Sequence, residues 1–273
     1  MPVSSVSNAP AGRADVAAQV DDFLFVTPNY DNAVAFLTLM LRGVPEYNCR
    51  VNPDKTLVNF ATAADSPGGG GGTPVRRLAD GALFPWCGLL IDTSTLAVVA
   101  DYARYAGVRM SDTLTVERAR NAGRAMRDRL VFSLRARCHR LFFDADVNPA
   151  AVQNVHRVLL LAAFKLHAYA ARLPRWRPAF VVDVVLDVAG FVSSCAGGRG
   201  GGGGPLDAVA VQWLCLEAFR RKLGRHAGVY GAVLRAIARR QTALRRRLDD
   251  CRATELCRVV GDDLPADFQL ILP

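Results

Sequence analysis

Metal-binding cysteine and histidine patterns are missing from this 273-residue chain. Its seven cysteines (Cys49, Cys87, Cys138, Cys195, Cys215, Cys251 and Cys257) are odd in number and widely spaced. No two form a C-x-x-C pair, and the four histidines include no H-E-x-x-H arrangement. A zinc site therefore has no support, and the cysteines are expected to be reduced and mostly buried. Long uninterrupted apolar runs are also missing. The most apolar one, Pro178 to Gly198, is broken by Asp183 and Asp187, whereas a membrane span needs about 20 mostly apolar residues. Met1 to Val20 is rich in Ser and Ala and lacks the apolar block of a signal peptide. An intracellular protein without a membrane partner is the default. Neither glycine run, Gly68 to Gly72 or Gly197 to Gly204, is followed by Lys-Ser or Lys-Thr. Both read as linkers rather than phosphate-binding loops.

What is present is an apolar half of the sequence, enough for one large domain or two smaller ones with real cores, and a lopsided charge. Residues 1–100 carry 6 Lys/Arg against 9 Asp/Glu, a net of −3, while the remainder carries 28 against 16, a net of +12. Nearly all of that excess is arginine, whose planar fork suits phosphate, so a polyanion such as nucleic acid is the natural partner. A solvated basic surface is the competing reading.

The first hundred residues mix strand and helix patterns. Phe23 to Thr27 is β-prone and stopped by Pro28. The spacing of Ala33, Phe36, Leu37, Met40 and Leu41 predicts an amphipathic helix from about Asp31 to Arg42, ended by Gly43 and Pro45. Short strands follow near Arg50-Val51 and Thr56 to Phe60, and a tight hairpin within Leu83 to Ile91. After Asp101 the pattern is helical. One helix covers about Thr115 to Phe143 through Met126, Leu130, Leu134, Cys138 and Leu141. Others begin at Asn148-Pro149 and run to about Arg172, lie between Pro178 and Ala196, and span about Leu206 to Leu223 and Val229 to Leu248. The fold class is α+β: a short mixed segment followed by a bundle of about five helices.

Asp21-Asp22 is the leading chemical candidate. The pairs Asp249-Asp250 and Asp262-Asp263 stand in polar surroundings and read as solvated. Asp21-Asp22 instead sits between Val20 and Phe23-Leu24-Phe25-Val26, where two adjacent carboxylates repel each other unless a cation joins them. Magnesium prefers such oxygens. A plain strand-end turn is the competing reading.

The order of elements and their wording resemble telomerase reverse transcriptases. Val20-Asp21-Asp22-Phe23-Leu24 with Val26-Thr27-Pro28 resembles the catalytic hairpin. Arg42 to Tyr47, Val51-Asn52 and Lys55 to Phe60 resemble the next palm motif, and Leu83 to Leu90, centred on Trp86-Cys87-Gly88, resembles the primer grip. Ala122-Gly123-Arg124, Met126-Arg127, Cys138-His139, Val211 to Cys215 and Leu264 to Phe268 are similar to the thumb and the chain terminus. The resemblance covers about residues 20–273.

It implies an unstructured or non-family start over residues 1–19, the C-terminal half of a reverse-transcriptase palm over 20–100 (short antiparallel strands plus one helix), and an all-α helical thumb bundle over 101–273. It implies an RNA-directed DNA polymerase that extends telomeric 3′ ends in the nucleus with Mg2+. Asp21 and Asp22 would be metal ligands and Lys55 a general acid for the leaving pyrophosphate, although an exposed loop lysine remains the competing reading. Trp86, Cys87, Gly88 and Leu89 would grip the primer. Arg120, Arg124 and Arg127, spaced i, i+4 and i+7, would hold the RNA–DNA hybrid, while Asn121 stands where the family commonly has lysine. The late cluster Arg239, Arg240, Arg245, Arg246 and Arg247 reads as a solvated face.

Implied partners are telomerase RNA, the single-stranded telomeric primer and its hybrid, dNTPs, and the rest of the catalytic subunit. The third palm aspartate and the fingers do not fit within residues 1–19, and Ala14 to Gln19 is a weak strand former. A partial product, inactive alone, is therefore expected. The alternative is a non-catalytic module that binds RNA–DNA hybrid.

Overall fold

Two compact units, Met1–Ser94 and Thr95–Pro273, divide the chain. The structure, a computed structural model, describes residues 14–62, 75–115, 120–173, 175–196 and 206–272. Both glycine runs lie outside the described residues.

In the first unit, β1 (Asp15–Gln19) and β2 (Asp22–Val26) form an antiparallel hairpin in which Ala17 faces Leu24 and Gln19 faces Asp22. The expected weakness of residues 14–19 as a strand is corrected here. Cross-strand pairing with an aromatic, β-prone partner outweighs the low propensity of alanine. Helix α1 (Tyr30–Arg42) starts at Asn29, whose side chain accepts the Asn32 N–H, and ends at Gly43. Its apolar stripe is only half-buried, with Phe36 stacked on Phe25 at 4.3 Å between ring centroids. No strand forms at Arg50-Val51. Gly43 turns the chain at φ +66° into a single bridge between Val44 and Cys49, and Asn52 then caps a 3-10 turn over Pro53–Lys55. β3 (Leu57–Val58) runs parallel to β4 (Arg76–Arg77), and β5 (Phe84–Trp86) pairs antiparallel with β6 (Leu89–Ile91). Among the described apolar residues of this unit only Val58 is fully buried.

The second unit is built around α4 (Ala151–Ala170), which is buried on nearly every side, as its almost continuous apolar sequence requires. Strand β7 (Val98–Ala100) leads into two 3-10 turns at Ala103–Tyr105 and Met110–Thr113. Then come α2 (Ala122–Arg135), α3 (Arg140–Phe143), α5 (Pro178–Ala196), α6 (Ala208–Gly224), α7 (Ala227–Arg245), α8 (Asp250–Val260) and α9 (Ala266–Gln269). The single helix expected over Thr115 to Phe143 is two. Asn121 caps α2 by accepting the Arg124 N–H, and His139, in an extended conformation, restarts the chain as α3 by accepting the Leu141 N–H on Nδ1. Residues 116–119 of that expected helix lie outside the described residues. The turns of α8 and α9 were absent from the expected bundle. They are short, and α9 closes the chain by placing Phe268 between Tyr102 and Phe164, at 4.9 and 5.7 Å.

Among the described residues, α5 alone is long and apolar enough to cross a bilayer. Its Val181, Val184, Val185, Val188 and Val192 are instead buried in the core of the unit. The cysteines are free, but the expectation that most are buried is wrong. Cys49, Cys87, Cys251 and Cys257 are exposed and only Cys215 is fully buried, the last two exposed thiols lying on the outer face of amphipathic α8.

Candidate functional site

Asp21 and Asp22 occupy the tip of the β1–β2 hairpin. Val20 and Asp21 form the turn and Asp22 opens β2, so both carboxylates are exposed at one end of the ribbon. Val20 adopts φ +59° and is 95% exposed. A β-branched residue in the left-handed region is strained by about 1–3 kcal/mol, and such strain concentrates at functional sites.

A second hairpin tip meets this one. Cys87 and Gly88 form the two-residue turn between β5 and β6, with φ of 49° and 78° and Trp86 facing Leu89. Two successive positive φ values are what a two-residue hairpin of right-handed twist demands, which is why glycine stands second. The turn carries the Cys87 Sγ to 3.5 Å from Asp22 Oδ2, where the thiol donates to the carboxylate. Desolvation, that hydrogen bond and the negative charges of Asp22 and Asp21 all push the thiol above its ordinary pKa. Trp86 turns inward, and its indole N–H is buried with no acceptor among the described residues.

Lys55 is exposed at the end of its 3-10 turn, and among the described residues no hydrogen bond or ion pair links it to the aspartates. Nor does any group of three or more His, Cys, Asp or Glu side chains among the described residues form a metal-binding cluster. Two carboxylates at one hairpin tip match the number that magnesium commonly takes from a protein, with the rest of its shell drawn from water and substrate.

The three arginines expected on one helix face are separated. Because Asn121 caps α2, Arg120 stands in the turn before the helix, outside its register. Arg124 is exposed on the first turn of α2. Arg127 is partly exposed and paired with Asp187 of α5, its Nε 2.8 Å from the carboxylate. Asn121, at the position where a lysine was expected, therefore has a structural task. The late arginines 239, 240 and 245–247 are all exposed.

The helix expected to begin at Asn148-Pro149 begins at Ala151 behind Ala150, and Asn148 does not cap it but bonds elsewhere. Asn148 is 2% exposed and holds both the N–H and C=O of Val98, the Leu141 carbonyl and the Ala150 N–H. Other polar groups escaped the sequence reading. Glu217, 4% exposed, is held by Arg220, Arg221 and Gln241. Lys222, on the next turn of α6, is 5% exposed and has no carboxylate partner among the described residues. A lysine inside an otherwise apolar helical stripe was the available signal.

The chain is similar to known proteins over most of its length. Residues 124–238 match the family profile described as telomerase reverse transcriptase, C-terminal extension. The telomerase reverse transcriptase of Bos taurus is 40% identical over 268 residues, covering 93% of this chain but 24% of the relative. That of Mus musculus is 37% identical over 265 residues, with 93% and 23% covered. That of Arabidopsis thaliana is 31% identical over 166 residues, with 58% and 14% covered. The chain thus spans about a quarter of the length of the vertebrate relatives. It belongs to the telomerase reverse transcriptase family and corresponds to the C-terminal part of its members.

Proposed function

We propose that this chain supplies the late palm and the thumb of a telomerase catalytic subunit, an RNA-directed DNA polymerase that extends telomeric 3′ ends in the nucleus. The observation that carries this reading is the 3.5 Å contact between Cys87 and Asp22. It joins the tip that would grip the primer to the tip that would hold the metal, so the primer 3′ end and the reacting phosphate share one edge of the first unit.

The residues divide the task. Asp21 and Asp22 would hold magnesium through carboxylate oxygens, and the ion would supply activation of the primer 3′-hydroxyl and stabilisation of the pyrophosphate. The Cys87-Gly88 turn lets backbone approach the primer and fixes its end, which lowers the entropic cost of reaction. Lys55 supplies a proton to the leaving group from its exposed turn. Arg120, Arg124 and Arg127 contact phosphates of the RNA–DNA hybrid and fix position without reading sequence. The exposed apolar side chains of the first unit, among them Val16, Phe23, Val26 and Leu39, suit burial against the rest of the catalytic subunit. Telomerase RNA and dNTPs are the remaining partners.

The test supplies this chain together with the remaining palm and fingers of a vertebrate relative and telomerase RNA, and follows primer extension. Asp21→Ala and Asp22→Ala should each abolish extension while the assembly persists. Full extension by either variant would overturn the assignment. The chain by itself should extend no primer, because the carboxylate pair lacks a third ligand among the described residues. A reading as a hybrid-binding module alone is favoured by the separate, well-filled core of the second unit. Extension by the assembled protein would rule that reading out.

A further inference from the structure

The first observation is a charge without a counter-charge among the described residues. Lys222 of α6 is 5% exposed, and its Nζ lies 4.2 Å from the centroid of the Phe164 ring on α4. A buried ammonium is costly unless it is paired, and one aromatic face replaces only part of its hydration. The charged groups that bear on it are Arg225 and His226, which offer no negative charge, and His167, which burial holds neutral with a pKa lowered to about 4.

The second observation is space. Lys222 lines a cleft of about 320 Å³ together with Phe164, His167 and Ala168 of α4, Arg172 in the turn after that helix, and Ser111 of the 3-10 turn. This volume lies at the small end of the range for ligand pockets. One wall is rigid: His167 stacks on His226 at 3.9 Å, and its Nδ1 is 3.1 Å from the Tyr230 hydroxyl, which is itself packed under Trp176. The cleft thus joins a buried cation, a second cation, an aromatic face and a hydroxyl, and among the described residues no carboxylate lines it. The nearby Asp112 is exposed and accepts the Ser111 hydroxyl.

We propose that this cleft is a phosphate-binding site for a nucleotide, with Lys222 as the buried counter-charge and Arg172 as the second ligand. An oxyanion seated there would pair Lys222, accept the Arg172 fork and leave room for a ring against Phe164 and His167. The phosphate belongs either to a free nucleotide or to one residue of a single strand, since both present the same group. The inference is independent of Asp21 and Asp22.

Titration calorimetry of the 273-residue chain with inorganic phosphate, UMP and an oligouridylate hexamer tests it, alongside NMR of the His167 and His226 rings. UMP should bind in the millimolar range or tighter, and both ring signals should shift. Lys222→Met should weaken binding roughly 10- to 100-fold, the loss of one charge-assisted hydrogen bond, and Arg172→Gln should weaken it several-fold. The methionine variant keeps volume and removes a buried charge, so its melting temperature should hold or rise. If it fails to fold, Arg172→Gln and the histidine shifts decide. A hexamer that binds more tightly than UMP identifies a strand as the source, and equal affinities identify the free nucleotide. Absence of binding by all three probes overturns the proposal, as does undiminished binding by a folded Lys222→Met. Binding of RNA–DNA hybrid through Arg124 should be the same in wild type and Lys222→Met, which separates this site from the hybrid surface.

Discussion

Arg127 on α2 is already engaged by Asp187 on α5, with Nε 2.8 Å from the carboxylate and both side chains partly exposed. A phosphate approaching Arg127 must compete with that carboxylate, whereas Arg124, three residues earlier and exposed, has none to displace among the described residues. Partly exposed pairs of this kind contribute about 0.2–1 kcal/mol.

Hybrid binding should therefore respond unequally to the two arginines. Arg124→Gln is expected to weaken affinity for an RNA–DNA hybrid more than Arg127→Gln. Asp187→Asn, which frees Arg127, should strengthen it by a few-fold. Fluorescence anisotropy across a salt series provides the measure. Wild-type affinity should fall steeply with salt, and each arginine that contacts phosphate should reduce the slope by about one when replaced. An unchanged slope in Arg124→Gln would remove that residue from the interface.

Acid should destabilise the helical unit in two stages. Burial and the nearby Arg221 lower His156 to a pKa of about 4. A base with a depressed folded pKa contributes stability that is complete above its unfolded value near 6.5 and is lost as pH falls toward 4. Glu217 follows at lower pH. Burial alone would raise its pKa, but the hydrogen bonds from Arg220, Gln241 and Arg221 outweigh burial and bring it down to about 2. Its contribution, about 3 kcal/mol, is present above its unfolded value near 4.5 and disappears between there and pH 2. Denaturant titrations at stepped pH should show His156→Leu flattening the first window and Glu217→Gln the second.

Asn148→Ala should cost about 3 kcal/mol, read from urea unfolding of the second unit. The side chain satisfies the Val98 N–H and carbonyl, the Leu141 carbonyl and the Ala150 N–H at a position 2% exposed. Removing it strands buried backbone groups, each worth about 1–3 kcal/mol. Asn154 also donates to the Val98 carbonyl and retains part of the contact, which limits the loss.

Gly43→Ala should loosen the first unit locally. Gly43 adopts φ +66°, and a Cβ there would overlap the Cys49 carbonyl backbone. Positive φ and the collision together predict a cost of roughly 1–3 kcal/mol. The amides of Val44 and Cys49, which bond to each other's carbonyls, should exchange with deuterium faster in the variant, with amides of α4 unchanged.

Local rules made much of the fold readable. A 3.6-residue apolar stripe and the Gly43 after it place α1 within a residue of its bounds. The Cys87-Gly88 step between β-prone residues marks a hairpin that forms with Trp86 opposite Leu89. Pro178 opens α5 where expected, and Ala196 closes it. The failures share a cause. The strand Asp15–Gln19 exists through its pairing with Phe23 to Val26, and the break between α2 and α3 depends on a histidine whose ring caps the backbone; neither is a matter of propensity. At the candidate site, the aspartates and the Trp-Cys-Gly turn were both visible as motifs. Their approach to 3.5 Å was not.

The amino-acid sequence by itself determined the α+β order, the family wording, the hairpin turns and the concentration of arginine in the second part, because each rests on residue type and short spacing. The tertiary structure alone decided which charges are committed. Arg120 fell outside the helix because Asn121 caps it, Arg127 met Asp187, Glu217 gathered its arginines, and Lys222 was buried beside an aromatic ring with space in front of it. Burial and pairing depend on what a fold brings from elsewhere in the chain, and desolvation then fixes which charges remain free to meet a ligand.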